Sequence, residues 1–164
     1  MPILTDDMKR VVREQSLGFV ATVCADGTPN LSPKGTTTVW DDDHLVFADI
    51  VSPGTIANLR ENPAVEVNVV DPITRLGYRF KGRAEVHVDG PVFDEVIAFY
   101  KSNGSIAATK AKSVAVIAVD SAAPLVSPAY DAGLSVDEVV DRSLRRLERI
   151  YNLRIASSDD AVDR

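Results

Sequence analysis

The distribution of apolar and polar residues along the chain predicts a protein built mainly of short β-strands. Alternating apolar positions predict a hairpin over about residues 19–38, with its turn at Asp26-Gly27, a pair that tolerates left-handed backbone. The same alternation predicts four further strands, at 44–48, 65–70, 77–88 and 114–119. Turns or single helices join these six strands, without a regular βαβ repeat. The pattern therefore favours an antiparallel, closed or split barrel over a doubly wound sheet.

Apolar residues at helical spacing predict four helices between or beside the strands. The first is capped by Thr5 or Asp6 and ends near Gln15, and the others cover about residues 53–61, 92–102 and 135–153. A length of 164 residues predicts one domain, over residues 1–155, followed by a polar tail at 156–164. The apolar stripe of the last helix and the exposed edges of the sheet favour a dimer.

The charge of the chain argues against nucleic acid as a partner. The formal net charge is −6, and the arginines near the C-terminus are interleaved with acidic residues. No apolar run approaches the ~20 residues of a membrane span and no signal peptide is recognisable, so we expect a cytoplasmic protein without membrane contact. Cys24 is the only cysteine, and His44 and His87 show no acidic or cysteine companion in the sequence pattern. We therefore predict no metal site.

Candidate chemistry is concentrated at the end of the hairpin and at the start of the second helix. Same-parity positions of a strand share a face, so a strand running through residue 38 would present one ammonium and three hydroxyls together, from Ser32, Lys34, Thr36 and Thr38. Ser52, Thr55 and the free N–H groups after Pro53 could also hold an anion. The alternatives are a helix-capping role for Ser52 and an ordinary exposed edge-strand role for Lys34. Together these groups predict a phosphate site.

Three segments in this order resemble a known family. They are FVATVCADGTPNLSPKGT at 19–36, HLVFADIVSPGTIANLRENPAVEVNV at 44–69 and YRFKGRAEV at 78–86, and SPAYDAG at 127–133 is similar to the C-terminal part of the smaller members. The chain resembles the FMN-binding split-barrel family related to pyridoxamine 5'-phosphate oxidase. The resemblance implies a mainly β (α+β) fold, a six-stranded antiparallel split β-barrel with peripheral helices, and a homodimer with FMN at the interface.

The resemblance also implies which residues bind the cofactor. The matching positions lie on the second strand, at the end of the third and at the start of the following helix, and they are Ser32, Lys34, Gly35, Thr36, Ala48, Asp49, Ile50, Ser52, Thr55 and Asn58. Many members carry Arg or Lys in the last segment where this chain has Gly54 and Ile56. More of the charge pairing with the phosphate would then fall to Lys34.

The implied activity is that of an FMN-dependent oxidoreductase acting on a small organic substrate or nicotinamide, with no side chain assigned a catalytic role. The Trp and the Arg-Leu-x-Pro type ending of the true oxidases are absent from the C-terminal region, so the resemblance is to the wider class. Three alternatives stay open. They are a deazaflavin-dependent reductase, a flavin-binding protein without turnover, and a cofactor-free dimeric binding module.

Overall fold

A computed structural model describes residues 2–152, which form one seven-stranded sheet and six helices. The strands are β1 Gly18–Val23, β2 Pro29–Lys34, β3 Thr38–Val39, β4 His44–Asp49, β5 Ala64–Val70, β6 Leu76–His87 and β7 Ser113–Val126. The helices are α1 Asp6–Gln15, α2 Pro53–Glu61, α3 Gly90–Ser102, α4 Ala107–Lys110, α5 Pro128–Asp131 and α6 Val136–Tyr151. The fold is a mainly antiparallel half-barrel, as expected of a split barrel.

The strand order is β2-β1-β5-β6-β7-β4-β3, so β2 and β3 are the two edges. β1 pairs with β2 from Gly18 opposite Lys34 to Val23 opposite Pro29, and β4 pairs with β7 from His44 opposite Ala118 to Asp49 opposite Ser113. All the pairings with a defined register are antiparallel. The register places the ends of β2 and β4, which carry the candidate residues, in the same sheet.

The number of strands differs from the prediction of six. The predicted second strand would run through Thr38, but β2 ends at Lys34 and the chain turns at Gly35 and Thr36 before the short β3. The backbone N–H of Thr37 closes this turn on the carbonyl of Lys34 at 3.2 Å, and the Thr37 hydroxyl donates to the same carbonyl at 2.9 Å. Residues 29–39 therefore form two strands, because this local hydrogen bonding competes with continued pairing.

Contacts divide the chain into two compact units, Met1–Val70 with Gly77–Pro124, and Asp71–Leu76 with Leu125–Arg164. In the first unit, the inner face of the strands and helices α1 and α2 enclose one core around Phe47 and Phe80. Helix α3 covers the opposite face of β4 and β7 with a second cluster that includes Val46, Val96 and Tyr100. The prediction of one domain over residues 1–155 stays a prediction.

In the second unit, the loop between β5 and β6 is held by Asp71, whose carboxylate accepts hydrogen bonds from the Ile73 N–H and the Thr74 hydroxyl, both at 2.8 Å. The Tyr130 hydroxyl donates to the Thr74 carbonyl at 2.6 Å. Helix α6 starts with a capping box formed by Ser135 and Glu138. The predicted end of this helix at residue 153 and the polar tail at 156–164 lie outside the described residues.

Two predicted helix starts are confirmed in atomic detail. The Thr5 hydroxyl accepts the N–H of Met8 at 3.3 Å, and α2 begins at Pro53 as expected. None of the helices within residues 2–152 is both long and apolar enough to cross a lipid bilayer.

Gly82 lies where two neighbouring backbones come close. The pairing of β5 with β6 continues through this position, with Val65 opposite Gly82, so the glycine forms no bulge against β5. A Cβ atom at residue 82 would lie 2.0 Å from the carbonyl oxygen of Ala118 in β7. Glycine is therefore required by the approach of β7.

Gly82→Ala should lower the free energy of unfolding by about 2 kcal/mol or more, because the added methyl group overlaps backbone atoms that cannot move independently. Urea denaturation would measure the change. The matched control is Gly54→Ala in α2, where a Cβ meets nothing within 4 Å. We expect the control to be neutral or stabilising by about 0.5 kcal/mol. Equal effects of the two substitutions would contradict this explanation.

Candidate functional site

Lys34, the last residue of β2, carries a buried ammonium group surrounded by hydroxyls. Its side chain is 4% exposed. The Nζ atom donates to Ser32 Oγ at 2.5 Å, to Ser52 Oγ at 2.7 Å and to Thr55 Oγ1 at 3.4 Å. It also lies 5.8 Å from the centroid of the Phe47 ring. We refer to Ser32, Lys34, Ser52 and Thr55 as the Lys34 cluster.

The charge of this ammonium is only partly compensated. Among residues 2–152, no carboxylate lies within 4.0 Å of Nζ. Burial lowers the pKa of Lys34 below its ordinary value, and the negative charge of Asp49 opposes that shift in part. A buried cation with neutral partners is suited to accept an anion as its counter-charge.

The hydroxyls of the cluster can serve as hydrogen-bond donors to a ligand. Because the ammonium has no acceptor atoms, each hydroxyl oxygen that receives its hydrogen bond keeps its own O–H proton for another partner. Ser32 and Ser52 are half-buried, so their protons can reach a ligand at the surface. The cluster thus combines one positive charge with hydroxyl donors, which is the chemistry that a phosphate monoester requires.

Helix α2 adds its first turn to the cluster. Ser52 occupies the capping position, but its side chain makes no capping hydrogen bond and instead accepts from Lys34. The alternative that Ser52 serves to cap the helix is therefore not what the structure shows. No acidic residue lies in the first turn of α2 itself, where the N–H groups carry the positive end of the helix dipole. The Ser52 N–H is bound by Asp49 Oδ1 at 2.6 Å, which fixes the entry into α2.

A second layer of amides and hydroxyls, at inward-facing positions of the hairpin and on α2, holds the cluster in place. The Asn30 amide donates to Thr22 Oγ1 at 3.1 Å and to Thr55 Oγ1 at 3.4 Å. The Asn58 amide donates to the same Thr22 oxygen at 3.0 Å. Asn58, predicted as a cofactor-binding residue, thus donates an amide hydrogen to a residue of β1. The sequence analysis missed Thr22 and Asn30. Strand alternation could have found them, because they lie on the same face of the hairpin as Ser32 and Lys34.

Thr36 has a different role from the one its parity predicted. Its hydroxyl donates to the Ala48 carbonyl at 3.1 Å and accepts the Ala48 N–H at 2.9 Å. The side chain thus takes the hydrogen-bonding place that a neighbouring strand would have beside β4. The Thr36 carbonyl accepts the buried Tyr100 hydroxyl at 2.7 Å. The prediction that Thr36 and Thr38 share one face with Ser32 and Lys34 is wrong, because the turn after Lys34 breaks the strand.

The remaining predicted residues surround this region. Gly35 is exposed and a Cβ there would meet no atom within 4 Å, while Ile50 is half-buried after the end of β4. Ser113 lies directly opposite Asp49 in the sheet, and its buried Oγ has no hydrogen-bond partner within the part of the chain that the structure describes. Directly paired residues point to the same side of a sheet, so Ser113 adds one more unused hydroxyl beside Asp49.

Two aromatic and two basic side chains outside the Lys34 cluster make other contacts. Phe80 is a core residue at 1% exposure, and Trp40 packs edge-on against Phe99 at 5.5 Å. Arg79 lies 2.8 Å and Lys81 3.5 Å from the Glu66 carboxylate.

The two histidines do have acidic neighbours, contrary to the expectation from sequence. His44 Nδ1 lies 2.7 Å from Asp41 Oδ1, and His87 Nε2 lies 3.7 Å from Glu85 Oε1. Each pair is local along the chain. Within residues 2–152 no group of three or more His, Cys, Asp or Glu side chains is placed to hold a metal ion.

Comparison with known proteins identifies the family. A model of the pyridoxamine 5'-phosphate oxidase family matches residues 4–123. The chain belongs to the pyridoxamine 5'-phosphate oxidase family. All the predicted cofactor-binding residues of this family member, from Ser32 to Asn58, fall inside the matched region.

Solved structures resemble this family member over about three quarters of its length. HupZ of Group A Streptococcus is 32% identical, with a TM-score of 0.67 over 75% of this chain and 94% of HupZ. An FMN-binding protein from Syntrophomonas wolfei is 17% identical, with a TM-score of 0.63 over 76% of this chain and 87% of that protein. An F420 reductase is 22% identical, with a TM-score of 0.57 over 73% of this chain and 98% of that protein. No curated protein sequence gives a match.

The lowered pKa of Lys34 predicts a defined pH dependence of stability. In the folded protein Lys34 loses its proton at a lower pH than in the unfolded chain, where its pKa is about 10.5. Between these two values the unfolded state binds the extra proton, so the folded state gains stability as the pH rises. Relative to Lys34→Met, the free energy of unfolding of the unmodified protein should rise with pH in that window, with a slope of at most about 1.4 kcal/mol per pH unit. Urea titrations from neutral to alkaline pH would measure it, and a difference independent of pH would contradict the assigned burial.

Proposed function

We propose that this chain binds FMN with the phosphate at the Lys34 cluster, and that it acts as an FMN-dependent oxidoreductase on a small organic substrate or nicotinamide. The observation that carries the proposal is the buried Lys34 ammonium, which has three hydroxyl partners and, within residues 2–152, no carboxylate within 4.0 Å. Membership of the pyridoxamine 5'-phosphate oxidase family supports it. A cytoplasmic location remains the expectation for such an enzyme.

The donor set suits one phosphate monoester. The donors lie side by side. The Lys34 ammonium contacts the hydroxyls of Ser32 and Ser52, and Ser52 directly precedes the first turn of α2. The single cation of this cluster matches a single phosphate better than the longer anionic tail of a deazaflavin cofactor. The F420 reductase among the structural neighbours is 22% identical and supports the fold rather than that cofactor.

In this proposal the protein binds and positions, and the bound flavin supplies the transfer of hydride or electrons. Lys34 and the hydroxyls hold the phosphate end, while Asp49 fixes the turn into α2 through the Ser52 N–H. Thr36 fixes the backbone of Ala48 at the end of β4, one of the segments that the family resemblance assigns to cofactor binding. No side chain needs to act as acid or base in this scheme.

We also propose a homodimer that buries the outer face of β1 and β2. At this sheet edge, six apolar or small side chains form one continuous surface, from Phe19, Ala21, Val23, Pro29, Leu31 and Pro33. Phe19 is 42% and Leu31 65% exposed. An exposed apolar surface beside an unpaired strand edge is typical of a protein interface. A second copy of the chain is the occupant that the family resemblance implies.

Lys34→Met tests the cofactor site. The substitution keeps an unbranched side chain one atom shorter and removes the charge, so we expect FMN to bind about tenfold to a hundredfold more weakly, corresponding to the ~1.5–3 kcal/mol of a charge-assisted hydrogen bond. Quenching of flavin fluorescence during titration would measure the affinity. The control is Lys101→Met, which removes an exposed lysine in the last turn of α3.

Several outcomes of this titration would reject parts of the proposal. Unchanged affinity in Lys34→Met would remove the Lys34 cluster from the site. Failure of the unmodified protein to bind FMN or a deazaflavin would favour a cofactor-free binding module. Saturable FMN binding without any oxidation of a nicotinamide or of a small organic donor would favour a flavin carrier.

Leu31→Asp tests the proposed dimer, because a charge at the centre of a buried apolar face is strongly unfavourable. We expect light scattering at micromolar concentration to give the mass of a dimer for the unmodified protein and of a monomer for Leu31→Asp. Val88→Asp, at a residue that is 48% exposed after β6, serves as the control and should remain dimeric. A monomeric unmodified protein would reject the dimer.

A further inference from the structure

A small cavity in the second unit combines two arginines with a buried serine. It has a volume of about 240 Å³ and lies between the loop that precedes β6 and one side of α6. Arg75 of the loop and Ser143 and Arg146 of α6 line it, together with an apolar wall of Leu147, Ile150 and Tyr151. None of these residues belongs to the Lys34 cluster.

Ser143 is the first indication of a ligand. The residue is 5% exposed, and its Oγ atom has no hydrogen-bond partner in the described part of the chain. A serine inside a helix commonly donates to the carbonyl four residues earlier, but no such bond is formed here. A buried hydroxyl without a partner is unfavourable unless a ligand or a water molecule accepts its proton.

The two arginines provide the second, independent indication. Neither the Arg75 nor the Arg146 guanidinium forms an ion pair or a hydrogen bond with any residue between 2 and 152. The adjacent Arg145 behaves differently, because its Nε atom lies 2.9 Å from the Asp141 carboxylate. Two unpaired guanidinium groups at one cavity favour an oxyanion, which each can bind through parallel N–H donors.

The apolar wall defines the rest of the ligand. Ile150 is 55% and Tyr151 65% exposed, although both are large and apolar enough to gain from burial. A free inorganic anion would leave this wall uncovered, whereas an anion attached to an aromatic or aliphatic body would cover it. We propose that this cavity binds a small organic oxyanion, a carboxylate or a phosphate ester, whose anionic head contacts Arg75, Arg146 and the Ser143 hydroxyl. The proposal is independent of FMN binding.

The test uses the full chain, titrated with phenyl phosphate and followed by two-dimensional amide NMR, which reports each site separately. We expect saturable shifts at the amides of Ser143, Arg146 and Ile150, and the same shifts in Lys34→Met, in which the other phosphate site is removed. Arg146→Ala should weaken this binding by about tenfold or more. The matched control, Arg145→Ala, removes the same charge one residue away and should change it by less than about twofold.

Two further arms separate a binding site from a general effect of charge. Ser143→Ala should raise the melting temperature of the free protein, because it removes the unpaired hydroxyl, and should weaken phenyl phosphate severalfold. A raised melting temperature with unchanged affinity would assign Ser143 a purely structural role and overturn its part in the site. Benzoate tests the carboxylate form of the ligand. Saturable shifts of the α6 amide signals with either probe would support the proposal.

Three results would reject the proposal. The first is the absence of saturable shifts on α6 with both phenyl phosphate and benzoate at millimolar concentration. The second is an equal loss of affinity in Arg145→Ala and Arg146→Ala, which would indicate non-specific attraction to a basic helix. The third is inorganic phosphate binding as tightly as phenyl phosphate, because the apolar wall would then contribute nothing.

Discussion

A buried ammonium is the constraint on which the candidate site depends. Taking Lys34 out of water is unfavourable, and the structure offsets this with hydroxyls from three elements, β2, the turn before α2, and α2 itself. The Asn30 amide donates to one of those hydroxyls, Thr55 Oγ1, and also to Thr22 Oγ1, which accepts from the Asn58 amide as well. Hydrogen bonds thus connect Lys34, its hydroxyl partners and the two amides into one polar network.

The sheet supplies the rigidity that this network requires. β4 packs on both faces, with Phe47 toward the inner core and Val46 toward α3, so its end has little freedom to move. The Thr36 hydroxyl then completes the hydrogen bonding of Ala48 where no strand continues, and the Tyr100 hydroxyl of α3 fixes Thr36. Rigid strand ends and a helix start are the kind of scaffold on which a cofactor site can be held precisely enough to orient a ring.

Local features of the fold were predictable from sequence, and the non-local ones were not. The Asp26-Gly27 turn, the Thr5 cap and the Pro53 start of α2 depend on neighbouring residues, and the structure confirms all three. The division of residues 29–39 into β2 and β3 depends on Thr37 bonding back to Lys34, which strand parity does not reveal. Lys34, Ser52 and Thr55 were each found as candidates, but their convergence depends on how β2 and α2 pack.

Lys34 and Arg146 illustrate why two anion-binding sites on one acidic chain would differ in chemistry. Lys34 is buried among hydroxyls, where a compact ammonium can be enclosed and its pKa lowered. Arg146 lies on the exposed surface of α6, where a guanidinium stays charged and can bind a planar oxyanion through paired donors. With a net charge of −6, the protein attracts few anions through its overall field, so binding at either place must come from these short-range contacts. The local donors would then set the selectivity of each site. The Lys34 cluster would select a phosphate ester, and the cavity on α6 would select an oxyanion with an apolar body.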